Sequence, residues 1–169
     1  MKHILMSCAT LLLLSGCGFL YQVGGAEKPS FDISKAAYTV PEFEFVNQEG
    51  EPFGSENLKG EHYLATLIFT HCPSVCPIMT PNMQRLQAAM LENDVDLQFI
   101  AFTVDPDRDT PEHLKQYGTN VGAELDTWNF LTGYQQDEIA EFSEEAFKMP
   151  VQVYEDNEDI GHSTSFFSR

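Results

Sequence analysis

The sequence predicts an α/β domain with a mainly parallel central sheet and helical crossovers. Three observations carry that prediction. Residues 63–70 and 95–104 are apolar runs with the length and β-branched or aromatic content of buried strands, and 126–131 reads as a third, shorter one. Segments with helical spacing separate and follow these runs. Chemically capable residues, Cys72 after the first run and Asp105 after the second, fall at strand carboxyl ends, where such sheets gather functional groups.

The chain opens with Met1-Lys2-His3 and the apolar Leu11-Leu12-Leu13-Leu14. A short positive region followed by an apolar stretch too short for a comfortable span reads as a signal peptide over residues 1–16. It ends Leu14-Ser15-Gly16-Cys17, which resembles the bacterial lipobox, in which the cysteine is lipidated and becomes the first mature residue. Cys17 would then anchor the protein in a membrane with the domain on the extracytoplasmic face. Residues 17–37 form a tether punctuated by Gly24-Gly25 and Pro29, and residues 38–169 form the domain. Cys8 leaves with the signal, so Cys72 and Cys76 remain as redox or metal-binding groups. The formal net charge of −17 speaks against nucleic acid as a partner.

Within the domain, loose alternation over 38–46 predicts a strand or hairpin arm, and Asn47 to Pro52 a turn. Residues 55–60 read as one helical turn ended by Gly60. After strand 63–70 comes Cys72-Pro73-Ser74-Val75-Cys76-Pro77, then a helix over 77–92 whose apolar spacing places Met79 and Met83 in the core. Strand 95–104 leads to Asp105-Pro106-Asp107-Arg108-Asp109-Thr110-Pro111, where Thr110 is a natural N-cap and Pro111 a natural first helical residue. That helix is expected to stop at Gly118. A helix over 135–147 turns Ile139, Phe142, Ala146 and Phe147 to one face. Residues 151–154 are strand-like, Glu155 to Asp159 an acidic loop, and 163–167 a last strand fragment.

The cysteine turn is the chemical centre. A strand-to-helix junction stabilises thiolate, because free N–H groups and the helix dipole favour negative charge. The pair can form a structural disulfide, remain as two inert thiols, exchange disulfides or grip one soft metal ion. His71 is a neighbouring nitrogen, but adjacent side chains diverge in extended chain. His62 and His113 read as surface residues. Asp105, Asp107 and Asp109 match the start of an EF-hand loop, yet Thr110 stands where glycine is required and Gln116 where the last glutamate belongs, so calcium is rejected. Arg108 and Asp109 are read as a helix cap or as a pair.

The segments Phe69-Thr70-His71-Cys72-Pro73-Ser74-Val75-Cys76-Pro77, Thr103-Val104-Asp105-Pro106-Asp107-Arg108-Asp109-Thr110-Pro111, Trp128-Asn129-Phe130-Leu131-Thr132-Gly133 and Gly161-His162-Ser163, in that order, resemble the Sco/SenC family. The resemblance implies a thioredoxin-like fold with a central mixed sheet flanked by helices. It implies copper (Cu+ or Cu2+) held by Cys72, Cys76 and His162. It also implies the copper-centre subunit of cytochrome c oxidase as partner, served by copper delivery or by thiol–disulfide reduction. From the residues themselves, Cys72–Cys76 is expected to be a redox-active disulfide pair in an extracytoplasmic compartment, and Asp105 is a candidate to orient a cysteine or tune its pKa. Zinc is the competing ion for such ligands. A peroxide-reducing enzyme or a copper-dependent redox sensor is a third possibility. Family members continue past the histidine with another strand and a C-terminal helix, so a chain ending at Arg169 is expected to lack both.

Overall fold

The computed structural model describes residues 40–154 and 159–168. The expected signal segment, Cys17 and the expected tether lie outside the described residues, as does most of the acidic loop.

The sheet is built around three parallel strands: β3 (Tyr63–Ile68), β4 (Gln98–Thr103) and β5 (Trp128–Leu131). Tyr63 aligns with Gln98 and Ile68 with Thr103; Phe99 aligns with Trp128 and Phe102 with Leu131. They are buried on both faces, which is why they read as nearly continuous apolar runs. A short β8 (Phe167–Ser168) pairs antiparallel with β3, giving the order β5-β4-β3-β8 and a mixed sheet. Two hairpins flank it, β1 (Glu44–Val46) with β2 (Pro52–Gly54), and β6 (Gln152–Tyr154) with β7 (Asp159–Gly161).

Alternation along β4 sorts the core into two layers. Ile100 and Phe102 join Ala65, Leu67 and Leu131 beneath α3 (Gln136–Phe147), through Ile139, Phe142, Ala146 and Phe147. Phe99 and Ala101 join Trp128 and Phe130 on the other face, under Met79 and Met83 of α1 (Cys76–Glu92) and Leu114 of α2 (Pro111–Asn120). The core placement of both methionines agrees with the helical spacing. Phe43, Phe45, Phe102 and Phe142 interlock, with Phe43 and Phe45 each meeting Phe142 edge to face at 5.4 and 5.5 Å, and Phe167 stacks on Phe147 at 4.4 Å.

The first hairpin is fastened to the end of β5. Val46 and Thr132 exchange backbone hydrogen bonds of 2.9 and 2.8 Å. The buried Gln48 side chain accepts from Phe130 N–H at 2.8 Å and donates to the Trp128 carbonyl, so an amide side chain substitutes for a neighbouring strand.

Several boundaries move from the sequence expectation. Strand β3 stops at Ile68, two residues early, because Phe69 and Thr70 already turn towards the cysteines: the Cys72 N–H donates to the Phe69 carbonyl. Residues 55–60 shorten to a 3-10 turn, Ser55–Leu58. Helix α2 runs through Gly118 to Asn120. Glycine is there for space: a Cβ would lie 2.8 Å from Phe130 Cε2 and 2.9 Å from Leu125 Cδ2. The helix is turned aside at Gly122, whose φ of +75° is left-handed backbone that suits glycine.

Candidate functional site

The cysteine turn joins the end of β3 to α1. The helix begins at Cys76, one residue before the expected Pro77, with Val75 as N-cap and no side-chain cap. Its first N–H, that of Cys76, donates to Cys72 Sγ at 3.4 Å. The sulfur therefore occupies the place a capping oxygen would take. Ser74 Oγ adds a 3.7 Å contact. Both cysteines are buried and unbonded, Cys72 7 % exposed and Cys76 2 %.

Their acidities diverge. Burial pushes the Cys72 thiol up, but the N–H groups of Cys76 and Ser74, with the side-chain contacts, outweigh it and hold the thiol below its ordinary value. Cys76 is deeper, and burial raises it to about 12, with neighbouring Cys72 and Asp109 adding to the effect. One thiol is poised to ionise and the other to stay protonated.

His162 follows β7 and packs edge-on against Phe69, ring centroids 5.7 Å apart. Its Nδ1 lies 2.7 Å from the Ser163 carbonyl. A carbonyl only accepts, so Nδ1 carries the proton and Nε2 keeps its lone pair. Nε2 is buried with no hydrogen-bond partner. Among the described residues it shares that state with Trp128 Nε1 and Gln136 Nε2, and of the three atoms it is the one whose lone pair can bind a metal ion. Burial also lowers the His162 pKa, partly opposed by the Ser163 carbonyl and Asp159, so the ring is held neutral, as a ligand must be. A backbone carbonyl fixing the tautomer is the usual support for a metal-binding histidine. The donors present thus fit a soft metal ion. Among the described residues, however, the cluster whose ligand atoms all lie within 4.8 Å of one another is His71, Asp109 and His113, and not the two cysteines with His162.

The aspartates divide their work. Asp105 is buried and its carboxylate accepts from Arg108 Nε at 2.5 Å. Asp109, fully buried, receives Thr70 N–H at 3.1 Å, the Thr70 hydroxyl at 2.5 Å and the Thr103 hydroxyl at 2.5 Å. It therefore ties the residue before His71-Cys72 to the end of β4. Arg108 pairs with Asp105 instead of Asp109, and the α2 cap is Thr110, whose Oγ1 accepts from His113 N–H. His113 is half-buried against His71 and not simply a surface residue. Sequence reasoning gave Asp109 a helix cap or a pairing with Arg108 and missed its tie to Thr70 and Thr103, because three alternating aspartates look alike until the topology brings the ends of β3 and β4 together.

Fold and site together define a thioredoxin-like protein with a C-x3-C dithiol at a helix start and a histidine from a later loop packed on Phe69, three residues before the first cysteine. Residues 32–167 match the SCO1/SenC family. The SCO1 protein homologue of Bacillus subtilis is 42 % identical over 130 residues, covering 77 % of this chain and 67 % of that protein. The SCO1/SenC family lipoprotein of Bacillus anthracis superposes with a TM-score of 0.75 at 42 % identity, covering 78 % of this chain and 77 % of that one. BsSco, a member of the Sco family of cytochrome c oxidase assembly proteins with a disulfide switch, gives 0.70 at 42 % identity over 78 % and 76 %. Bradyrhizobium japonicum ScoI, solved with copper bound, gives 0.65 at 26 % identity over 76 % and 80 %. The chain belongs to the SCO1/SenC family.

Proposed function

We propose that this protein is a membrane-tethered, extracytoplasmic copper chaperone for the dinuclear copper centre of cytochrome c oxidase. The observation that carries the proposal is the buried, partnerless lone pair of His162 Nε2 packed beside the residue that leads into two thiols. Two thiolates and an imidazole suit copper. The copper-bound Bradyrhizobium relative and the oxidase-assembly family of BsSco support that cargo and that partner. The Bacillus anthracis lipoprotein supports lipidation at Cys17, with residues 1–16 as signal and 17–37 as tether.

Copper is the cargo. In the reduced protein Cys72 gives up its proton first, because the helix N-terminus stabilises its thiolate; Cys76 gives up its own as copper binds. His162 supplies a neutral nitrogen without having to lose a proton. Delivery is then ligand exchange with the thiols of the acceptor site. Replacing His162 with Ala is expected to weaken Cu+ binding at least about tenfold, since even residues that only orient ligands are worth that much, while His71→Ala leaves it unchanged. A chelator competition assay measures both, and the reverse pattern would remove His162 from the site.

The divergent thiol acidities favour a second activity on the same residues. Cys72 thiolate attacks a disulfide of the target, forming a mixed disulfide and releasing one target thiolate. Cys76 then attacks Cys72 Sγ, releasing the second, so the target gains two electrons and Cys72–Cys76 becomes the disulfide. Unchanged reductase activity of His162→Ala towards an oxidised oxidase copper-site peptide would separate this activity from copper delivery.

A further inference from the structure

Beside the thiols, three further ligand-bearing side chains converge. One ring nitrogen each of His71 and His113 and a carboxylate oxygen of Asp109 lie within 4.8 Å of one another. The two imidazoles meet edge to face, centroids 5.2 Å apart, and His71 Nδ1 is 4.0 Å from Asp109 Oδ1. Asp109 is fully buried, His113 half-buried and His71 exposed, so the cluster has a floor and an open mouth.

The hydrogen bonds leave lone pairs on all three groups. His113 Nδ1 faces the Arg108 carbonyl at 3.2 Å, which only accepts, so Nδ1 is the donor and the neutral ring carries its lone pair on Nε2. The Thr70 hydroxyl commits its single proton to Asp109 Oδ1. Its 3.1 Å contact with His71 is therefore donated by His71 Nδ1–H, and Nε2 of that ring also keeps a lone pair. Asp109 Oδ2 accepts two hydrogen bonds but Oδ1 only one, which leaves acceptor capacity on the oxygen nearer His71. A carboxylate and an imidazole each pinned by outer hydrogen bonds are the support that ligands need.

We propose that His71, Asp109 and His113 form a second metal site, separate from the thiols, for a divalent transition ion of the copper or zinc type. Two imidazoles and a carboxylate suit Cu2+ and Zn2+, whereas Cu+ prefers sulfur. Three protein ligands leave a position open to water, as in sites that exchange or react. Bonds of about 2.1 Å in a tetrahedral site place donors about 3.4 Å apart, so the cluster closes by roughly an ångström. The exposed His71 ring can supply that movement and, by turning over, can bring its lone-pair nitrogen to the side where Nδ1 now faces Asp109. A net charge of −17 draws cations to the surface. Since His71 directly precedes Cys72, an ion held here waits beside the thiols. The proposal does not depend on copper binding by those thiols.

The test removes the thiols. The chain carrying Cys72→Ser and Cys76→Ser is titrated with Cu2+, and separately with Zn2+, against a competing chelator, with paramagnetic resonance reporting nitrogens on Cu2+. One equivalent with two coordinated nitrogens is expected. On that background, His71→Ala and His113→Ala each weaken binding at least about tenfold, while His162→Ala has no effect. No stoichiometric binding by protein with native circular dichroism would overturn the site, as would binding indifferent to both His71 and His113. If the double variant fails to fold, the oxidised wild-type chain, its thiols tied up as a disulfide, is titrated by the same criteria.

Discussion

A sulfur capping a helix links sequence to reactivity at the scale of single residues. Cys72 is low because the first N–H of α1 points at it, and Cys76 is high because the same helix carries it inward. At pH 8 a thiol near 12 is ionised to on the order of one part in 10,000. Iodoacetamide at that pH should therefore label Cys72 at least about tenfold faster than Cys76, as read by peptide mass spectrometry. Faster labelling of Cys76 would contradict the assignment. Tyr134 offers a second test. Its hydroxyl is held by the Thr103 and Leu131 carbonyls, both at 2.8 Å, and burial raises its pKa well above 10, with Asp109 adding to the effect. A raised folded-state pKa gives stability that is complete below the unfolded value and lost as pH climbs past it. Tyr134→Phe should cost about 1 kcal/mol at neutral pH and flatten the decline in stability above pH 10. A denaturant series at pH 8 to 11 measures both, and parallel declines would refute the account.

At the scale of elements, the legible parts were those whose burial leaves a one-dimensional trace. Strands β3, β4 and β5 are covered on both faces and appear as apolar runs; α3 shows its buried face at helical spacing. Ends were less legible, because they are set by what lies across the gap. Gly118 is the clearest case. Alone it signals a helix stop, but its reason is the ring of Phe130, on the next strand. Gly118→Ala should therefore destabilise by about 1–3 kcal/mol through overpacking, although alanine in an exposed helix would stabilise by about 1 kcal/mol. Urea unfolding decides the sign, and a more stable variant would contradict the packing argument.

For the whole molecule, topology gives the site its members. Parallel pairing sets the ends of β3 and β4 side by side, so Asp109 reaches back to Thr70 across 39 residues. No local pattern distinguishes it from Asp105 or Asp107. The Cys72–Cys76 pair was legible as a strand-to-helix dithiol from its own neighbours. His162 was not legible from composition or spacing; family resemblance raised it, and the structure adds its orphaned Nε2 and its place against Phe69. The grouping of His71 with His113 was invisible for the same reason as Asp109: the two lie on different connections and meet only in the folded chain.

The central claim is that the two thiols and His162 hold copper as cargo. The most direct measurement is a Cu2+ titration of the chain, reduced and oxidised, read by the sulfur-to-copper charge-transfer band, which a nitrogen and oxygen site cannot produce. The account predicts a band that saturates at one equivalent in the reduced protein, is absent from the oxidised protein and is lost or shifted in His162→Ala. A reduced, folded protein that develops no such band would contradict it and leave dithiol chemistry as the function of the turn.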